Sequence, residues 1–542
     1  MRNSAMTFRN ILLSTAVLSL SFTGLASAQS IEVGQLGAAQ AFDAGVIDFN
    51  SGGLDPALWQ GTSAKIATHL LSKAPVNSEN PVIRDMIRAV VLTAGVPPEG
   101  TDSGYARARL RTVMALNDPQ ALKNLAARSP DIVADSAVRA DLALAVGEVD
   151  NACSMADSIS EGRGTPTWAR LRAFCHVKRG ERPAAELTAK LLKNSGYEDE
   201  VFFELLDRLT GVSKDATVLD VSGDPLYGAM AGEVAANSAA PLASTTQMTP
   251  YQAMATAKDP QASPDARLAA VFKAKQLLDD ATIVQILNGV IYDGVDVNNL
   301  SAASQFDLES ARANPTGKGF AQLFALSKQG GDPALTAQAA SEVLKRAEKK
   351  GAFSRFAKLL ENEIAVMPAE AKVASDLKIF ARAAIKRGDI GALQSFFAAL
   401  ADKPSAQARI ALAADALGGG FRLGDLGRDI EGRLEDPSKR PQALRDAYLA
   451  LALGSTLSDA GKLALEGART STGRTLPAGD IAALRAAAKA SSRAETTLRA
   501  AIALEGRRLD APSKAAVIEA LMQAQLSQYA GQLAALDYIE AL

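Results

Sequence analysis

Residues 168–192 read W-A-R-L-R-A-F-C-H-V-K-R-G-E-R-P-A-A-E-L-T-A-K-L-L. From Trp168 to Val177 the apolar residues recur at helical spacing, R-G-E-R-P interrupts, and Ala184 to Leu192 resumes the pattern. Glycine stops a helix and proline starts one well, so the stretch reads as two helices joined by a tight turn. A turn this short makes the two helices antiparallel neighbours.

The same grammar recurs outward in both directions. Ala137 to Val146 is followed by G-E-V-D and then Asn151 to Ile159; Leu377 to Lys386 is followed by R-G-D-I-G and then Ala392 to Leu400. Nearer the N-terminus, S-G-G-L-D-P-A-L-W offers Asp55 as a cap and Pro56 as a first helical residue, which predicts a helix from about Pro56 to Leu71. A second follows Asn80-Pro81, with Ile83, Met86, Ile87, Val90 and Val91 on one face. The tail from Ser513 to Leu542 is again helical, and Tyr529, Leu533, Leu536 and Ile539 predict a terminal helix packed on the stack. One hairpin cannot bury its apolar face alone, so many in series imply stacking. The expected fold is therefore all-α, an irregular α-solenoid of antiparallel helical hairpins.

Composition agrees and excludes several function classes. Of 542 residues, 48% are hydrophobic, enough for a sizeable core. Ala, Leu, Lys, Arg and Glu are abundant and favour helix. The formal charge is -2, which supplies no overall field for nucleic acid or anionic lipid, and 5% aromatic residues argue against stacking platforms.

The first 28 residues carry Arg2 and Arg9, then an apolar run from Ile11 to Leu25, then Ala26-Ser27-Ala28. These are the three regions of a secretory signal peptide, with cleavage expected between Ala28 and Gln29. The apolar run is too short and too interrupted by hydroxyls to span a membrane, so the mature chain is expected in the periplasm with no transmembrane segment. Residues 29–54 read as an extended segment, 55–236 as one helical array, 237–264 as a linker or long loop, and 265–542 as a second array. Pro241, Pro250, Pro260 and Pro264 interrupt any long helix in that linker. A further break is expected at Gly418-Gly419-Gly420.

Trp168-Ala-Arg-Leu171, with Ala184 on the partner helix, and Ala392-x3-Phe396-x2-Ala399 resemble tetratricopeptide-like repeats; Arg172 and Cys175 stand where that pattern has Gly and Tyr. The resemblance implies a concave protein-binding surface. G-G-L-D-P-A-L-W-Q-G at Gly52 to Gly61, the Cys153 and Cys175 hairpin and L-A-A-V-F-K-A-K at Leu268 to Lys275 also resemble Ala-rich exported proteins of alphaproteobacteria, often labelled antifreeze glycopeptide polyproteins. That label implies an Ala-Ala-Thr repeat, which this sequence lacks, so ice binding is not expected.

The residues that carry chemistry are few. Cys153 and Cys175 fall on neighbouring helices; in an oxidising compartment they are expected to form a disulfide, contributing on the order of 3 kcal/mol, with two buried free thiols as the alternative. Cys175 and His176 point about 100 degrees apart on a helix, a poor nucleophile and base pair. Two histidines, His69 and His176, give no multi-His metal site, and Asp293 to Asp296 is a faint echo of a calcium loop. No cofactor fingerprint is present; G-G-G-F-R-L-G at Gly418 to Gly424 lacks a preceding strand. Trp59 and Trp168 read as core.

Glu309-Ser310, Asn314-Pro315, Gly317, Gly319 and Gln322 resemble a compressed lytic transglycosylase motif, which implies a catalytic Glu309 acting on peptidoglycan. That chemistry needs a glutamic acid held in a largely apolar pocket. The bland reading is a helix ending near Ala313 followed by an N-P-T-G turn. With no catalytic set assembled, the sequence points first to a periplasmic scaffold for a protein partner in the cell envelope, and second to such an enzyme.

Overall fold

The computed structural model describes residues 45–542 other than 50–51, 102, 117, 128–134, 215–218, 220–223, 238–249, 276, 293–305, 421–422, 467, 469–472 and 507. The expected leader, its Ala28-Gln29 junction and Asp293 to Asp296 lie outside the described residues. Among the described residues there are 28 helices and no strand.

The hairpin read from 168–192 is a helix Pro166–Lys178 and a helix Arg182–Asn194. Gly180 makes the turn at φ +77°, where a side chain would be strained, and its N–H and that of Glu181 return to the carbonyls of Val177 and His176. Ser136–Ala145 pairs with Val149–Ser158, and Ala369–Arg387 with Ile390–Ala399, as the spacing predicts. Inside Ala369–Arg387 the backbone leaves helical geometry at Asp376, whose carboxylate accepts from Ile379 N–H at 3.0 Å. The second half thus begins at Leu377, where the apolar spacing had placed it.

The first expected helix is corrected. Asp55 does accept from Ala57 N–H at 2.8 Å, but Pro56 to Gly61 is only a turn, closed by Gly61 at φ +71°. The helix is Ala64–Ser72, capped by Ser63. Of the segment read as extended, Val46 and Ile47 donate to Leu92 O at 2.8 and 3.0 Å, and Ala94 N donates to Ile47 O at 3.1 Å. Within the stretch read as a linker, Pro250–Lys258 is a helix packed on Pro264–Lys273.

Buried apolar residues fall into two clusters. The smaller runs from Ala140 to Ala231 and centres on Trp168, Phe174, Phe202 and Leu205. The larger joins residues from Leu54 to Val146 with residues from Ala253 to Ile539. That union arises because the last helices pack on the first: Arg493–Leu504 lies against Pro81–Leu92 and Ala64–Ser72, and Ser527–Ile539 touches Pro81–Leu92 while also packing on Pro404–Ala416 and Ala369–Arg387. Ala494 N donates to Leu58 O at 2.8 Å, and buried Thr62 meets Ser492 at 2.5 Å and Glu495 at 2.8 Å.

Small residues allow these helices to approach closely. A Cβ on Gly531 would stand 2.3 Å from Ala416 O, a backbone atom that cannot swing away. Gly531→Ala should therefore destabilise the chain. Overpacking costs about 1–3 kcal/mol, against about 1 kcal/mol gained from helix propensity. A melting temperature at or above wild type would refute this reading of the contact.

Candidate functional site

Two helices that pack on one another, Ala64–Ser72 and Ser103–Ala115, build an open groove. Ser63 starts Ala64–Ser72, and the following turn at Ala74 to Asn77 leads away from it. Across from it, Ser103–Ala115 is anchored by its buried face: the Tyr105 ring meets Trp59 edge to face at 5.8 Å. On the same helix, buried Arg109 donates from Nε to Val91 O at 2.9 Å and from an Nη to Thr93 O at 3.0 Å. A guanidinium there satisfies carbonyls at the C-terminal end of Pro81–Leu92, where positive charge is favoured. The groove left between the two helices has a volume of ≈ 510 Å³. Leu71, Val76 and Ala108 supply its apolar surface, Thr112 its polar floor, and the exposed Arg107 and Arg111 its rim.

Beyond Arg111 lies a polar hub inside the smaller cluster. Arg170 on Pro166–Lys178 donates to Asp224 at 3.0 Å and to the Tyr227 hydroxyl at 3.1 Å, and reaches Asp199 at 3.4 Å. The Tyr197 and Tyr227 hydroxyls both donate to Asp199, which also caps Glu200–Thr210 through Phe202 N–H at 2.9 Å. Asp224 likewise accepts from Leu226 N–H at 2.9 Å at the start of Pro225–Asn237. Burial opposes charge on Asp199, but these hydrogen bonds outweigh it and hold the carboxyl below its usual range. Burial and the bond to Asp199 push Tyr197 up to about 12. The hub ties two helix starts to the side of Pro166–Lys178.

Asp141, on Ser136–Ala145, faces both Arg111 and this hub. Burial, then the nearby Asp224 carboxylate, raise it to about 6, while Arg111 and Arg170 pull the other way. Because the folded pKa exceeds that of an unfolded aspartate, the charged form opposes folding, and the chain should gain stability as pH falls from 7 toward 4. Asp141→Asn should flatten that slope and stabilise the chain at pH 8 by about 1–3 kcal/mol. Melting temperatures across pH decide it; an unchanged slope would show that Asp141 does not titrate there.

Cys153 and Cys175 form a disulfide with Cα atoms 5.6 Å apart, joining Val149–Ser158 to Pro166–Lys178. The Cys175 sulfur is thereby unavailable to His176, whose Nδ1 lies 2.6 Å from Glu181 instead. Trp59 and Trp168 are buried in the core. Glu309 sits in Leu308–Ala313, 79% exposed and 2.7 Å from Arg312. An exposed carboxylate beside a guanidinium lacks the apolar surround that proton donation to a sugar requires. Asn314 then accepts from Thr316 N–H at 3.0 Å, and the next helix starts at Gly317, as the N-P-T-G turn predicts. Glu309 therefore stands outside the groove.

Sequence reasoning did not single out Arg107, Arg111 or the hub. Tyr197-x-Asp199 and Asp224-Pro225 were readable as helix starts, but their convergence on Arg170 depends on packing across 54 residues. No family model, curated protein or solved structure matches the chain.

Proposed function

We propose that the chain is a scaffold of the cell envelope that holds an acidic, partly apolar segment of a protein partner in the groove between Ala64–Ser72 and Ser103–Ala115. The observation that carries this reading is the groove itself: an apolar surface from Leu71, Val76 and Ala108 rimmed by two exposed arginines. Apolar contact supplies binding energy, and the arginines select carboxylates. The likeness of the hairpins to tetratricopeptide-like repeats supports a binding role of this kind. An oxidising compartment fits the Cys153–Cys175 disulfide and the leader-like first 28 residues. Among the described residues no helix is long and apolar enough to cross a membrane.

A photo-crosslinking residue placed at Asn77 in the full chain should capture one envelope protein in cells, through a peptide rich in Asp and Glu. Capture should disappear in Arg107→Glu with Arg111→Glu, and should not occur from Lys462, exposed on another helix. Recovery of the same abundant proteins from both positions, or capture indifferent to the charge reversal, would reject the proposal.

A further inference from the structure

Four cations from three separate parts of the chain meet where Pro81–Leu92 approaches the turn at Gly351 and Ala369–Arg387. Arg84, in the first turns of Pro81–Leu92, donates to Ser78 O. Lys275, just past the end of Pro264–Lys273, donates to Gly351 O at 2.5 Å. Both face the same turn: a Cβ on Gly351 would stand 3.8 Å from Lys275 Nζ and 4.0 Å from an Arg84 Nη. Lys386, on Ala369–Arg387, reaches Pro81 O at 3.5 Å and pairs with Asp85. Lys273 lies at the helix end two residues before Lys275.

The charge of this group is not balanced. Among the described residues, Asp85 is the sole carboxylate that any of the four pairs with; the other contacts are neutral backbone carbonyls. The group is also withdrawn from water, with the Lys386 side chain only 13% exposed and Arg84, Lys273 and Lys275 partly buried. Burial first, then Arg84 and Lys273, push Lys275 down to about 8; burial and Arg84 do the same to Lys386. The fold thus holds like charges together at a cost. Half-buried cations that repel one another are relieved by a multiply charged anion, which can accept from a guanidinium and several ammonium groups at once.

We propose that Arg84, Lys273, Lys275 and Lys386 form a binding site for a phosphate-type oxyanion, carried either by a small soluble molecule or by a lipid headgroup. Two charges or more are needed to offset the excess, which a single carboxylate does not provide. Bound there, the anion would bridge Pro81–Leu92, the turn at Gly351 and Ala369–Arg387, so occupancy should be read as stability of the whole chain.

The test uses the full chain in chloride buffer at fixed ionic strength, titrated with inorganic phosphate and with pyrophosphate. Wild type should show a saturable rise in melting temperature, larger for pyrophosphate. Lys273→Gln with Lys275→Gln should weaken pyrophosphate binding by calorimetry by about tenfold or more. In chloride alone the variant should melt no lower than wild type, since it removes repulsion. Flotation with vesicles of phosphatidic acid, whose headgroup is a phosphomonoester, in phosphatidylcholine separates the sources: flotation lost in the variant assigns a headgroup, and none at all with pyrophosphate binding intact assigns a soluble ligand. Equal responses to phosphate in wild type and variant, or no saturable response in either, would overturn the site. So would a lower melting temperature of the variant in chloride, which would make Lys275 a structural clamp on Gly351.

Discussion

Phe356→Ala should lower the stability of the chain by about 3–5 kcal/mol, the range for emptying a large buried aromatic position. Phe356 is fully buried on Phe353–Leu359 and is the common neighbour of three other rings. Its centroid lies 5.6 Å from Phe272, 5.1 Å from Phe320 and 6.0 Å from Phe324, each edge to face. Those rings come from Pro264–Lys273 and Gly317–Lys328, so one side chain ties three helices. Edge-to-face pairs add about 0.5–1.5 kcal/mol each beyond the area they bury. Phe356→Leu keeps most of the apolar volume and should cost well under half as much. Denaturant midpoints for the two variants, with amide exchange in Gly317–Lys328 as the local reading, measure both. Equal losses for Ala and Leu would mean that ring geometry rather than volume holds the site.

The hairpins were legible because their signals are local. In R-G-E-R-P, Gly180 and Pro183 end one helix and begin the next within a few residues, and the structure returns the same turn. Asn80-Pro81 likewise marked a true start, and Ile83, Met86, Ile87, Val90 and Val91 are all buried. Pro56 misled for an equally local reason: a capped proline opens a helix only if the following residues continue it, and Gly61 closes the turn first. What could not be read is the packing of the end of the chain on its beginning. Thr62 is more than 400 residues from both Ser492 and Glu495, and the three belong to no motif. The final helix shows the limit best. Tyr529, Leu533, Leu536 and Ile539 were read as its packed face; Leu533 and Ile539 are buried and Tyr529 and Leu536 half-buried, yet Gln532, Asp537 and Tyr538 are buried too, because helices cover it on several sides. A helix buried all round has no amphipathic stripe to reveal its partners. The groove and the cation group share that opacity, since each is assembled from segments whose own patterns are ordinary.

Asp537 turns that burial into the second large effect. Arg445, itself buried, grips it with Nε at 2.6 Å from one oxygen and an Nη at 2.9 Å from the other, and Arg508 adds a contact at 3.2 Å. Burial opposes the charge on Asp537, but Lys514, Arg445 and Arg508 together hold the carboxyl below its usual range. Arg445 also donates to Leu509 O at 2.8 Å, so its position depends on both the last helix and the segment before Ala511–Gln523. Asp537→Ala strands a buried guanidinium and should cost about 3–5 kcal/mol, although the intact pair contributes much less than that. Arg445→Met combined with Asp537→Leu should recover most of the loss, because apolar side chains of similar volume need no partner. Acid supplies an independent reading. A carboxyl whose folded pKa is depressed stabilises above its unfolded value near 4, and the stabilisation is lost as pH falls through the lower folded value. The wild type should therefore lose this increment only below about pH 4, whereas the double variant should show a flatter acid limb. If the single and double variants are equally destabilised, the contribution of Asp537 is packing of the last helix rather than compensation of Arg445.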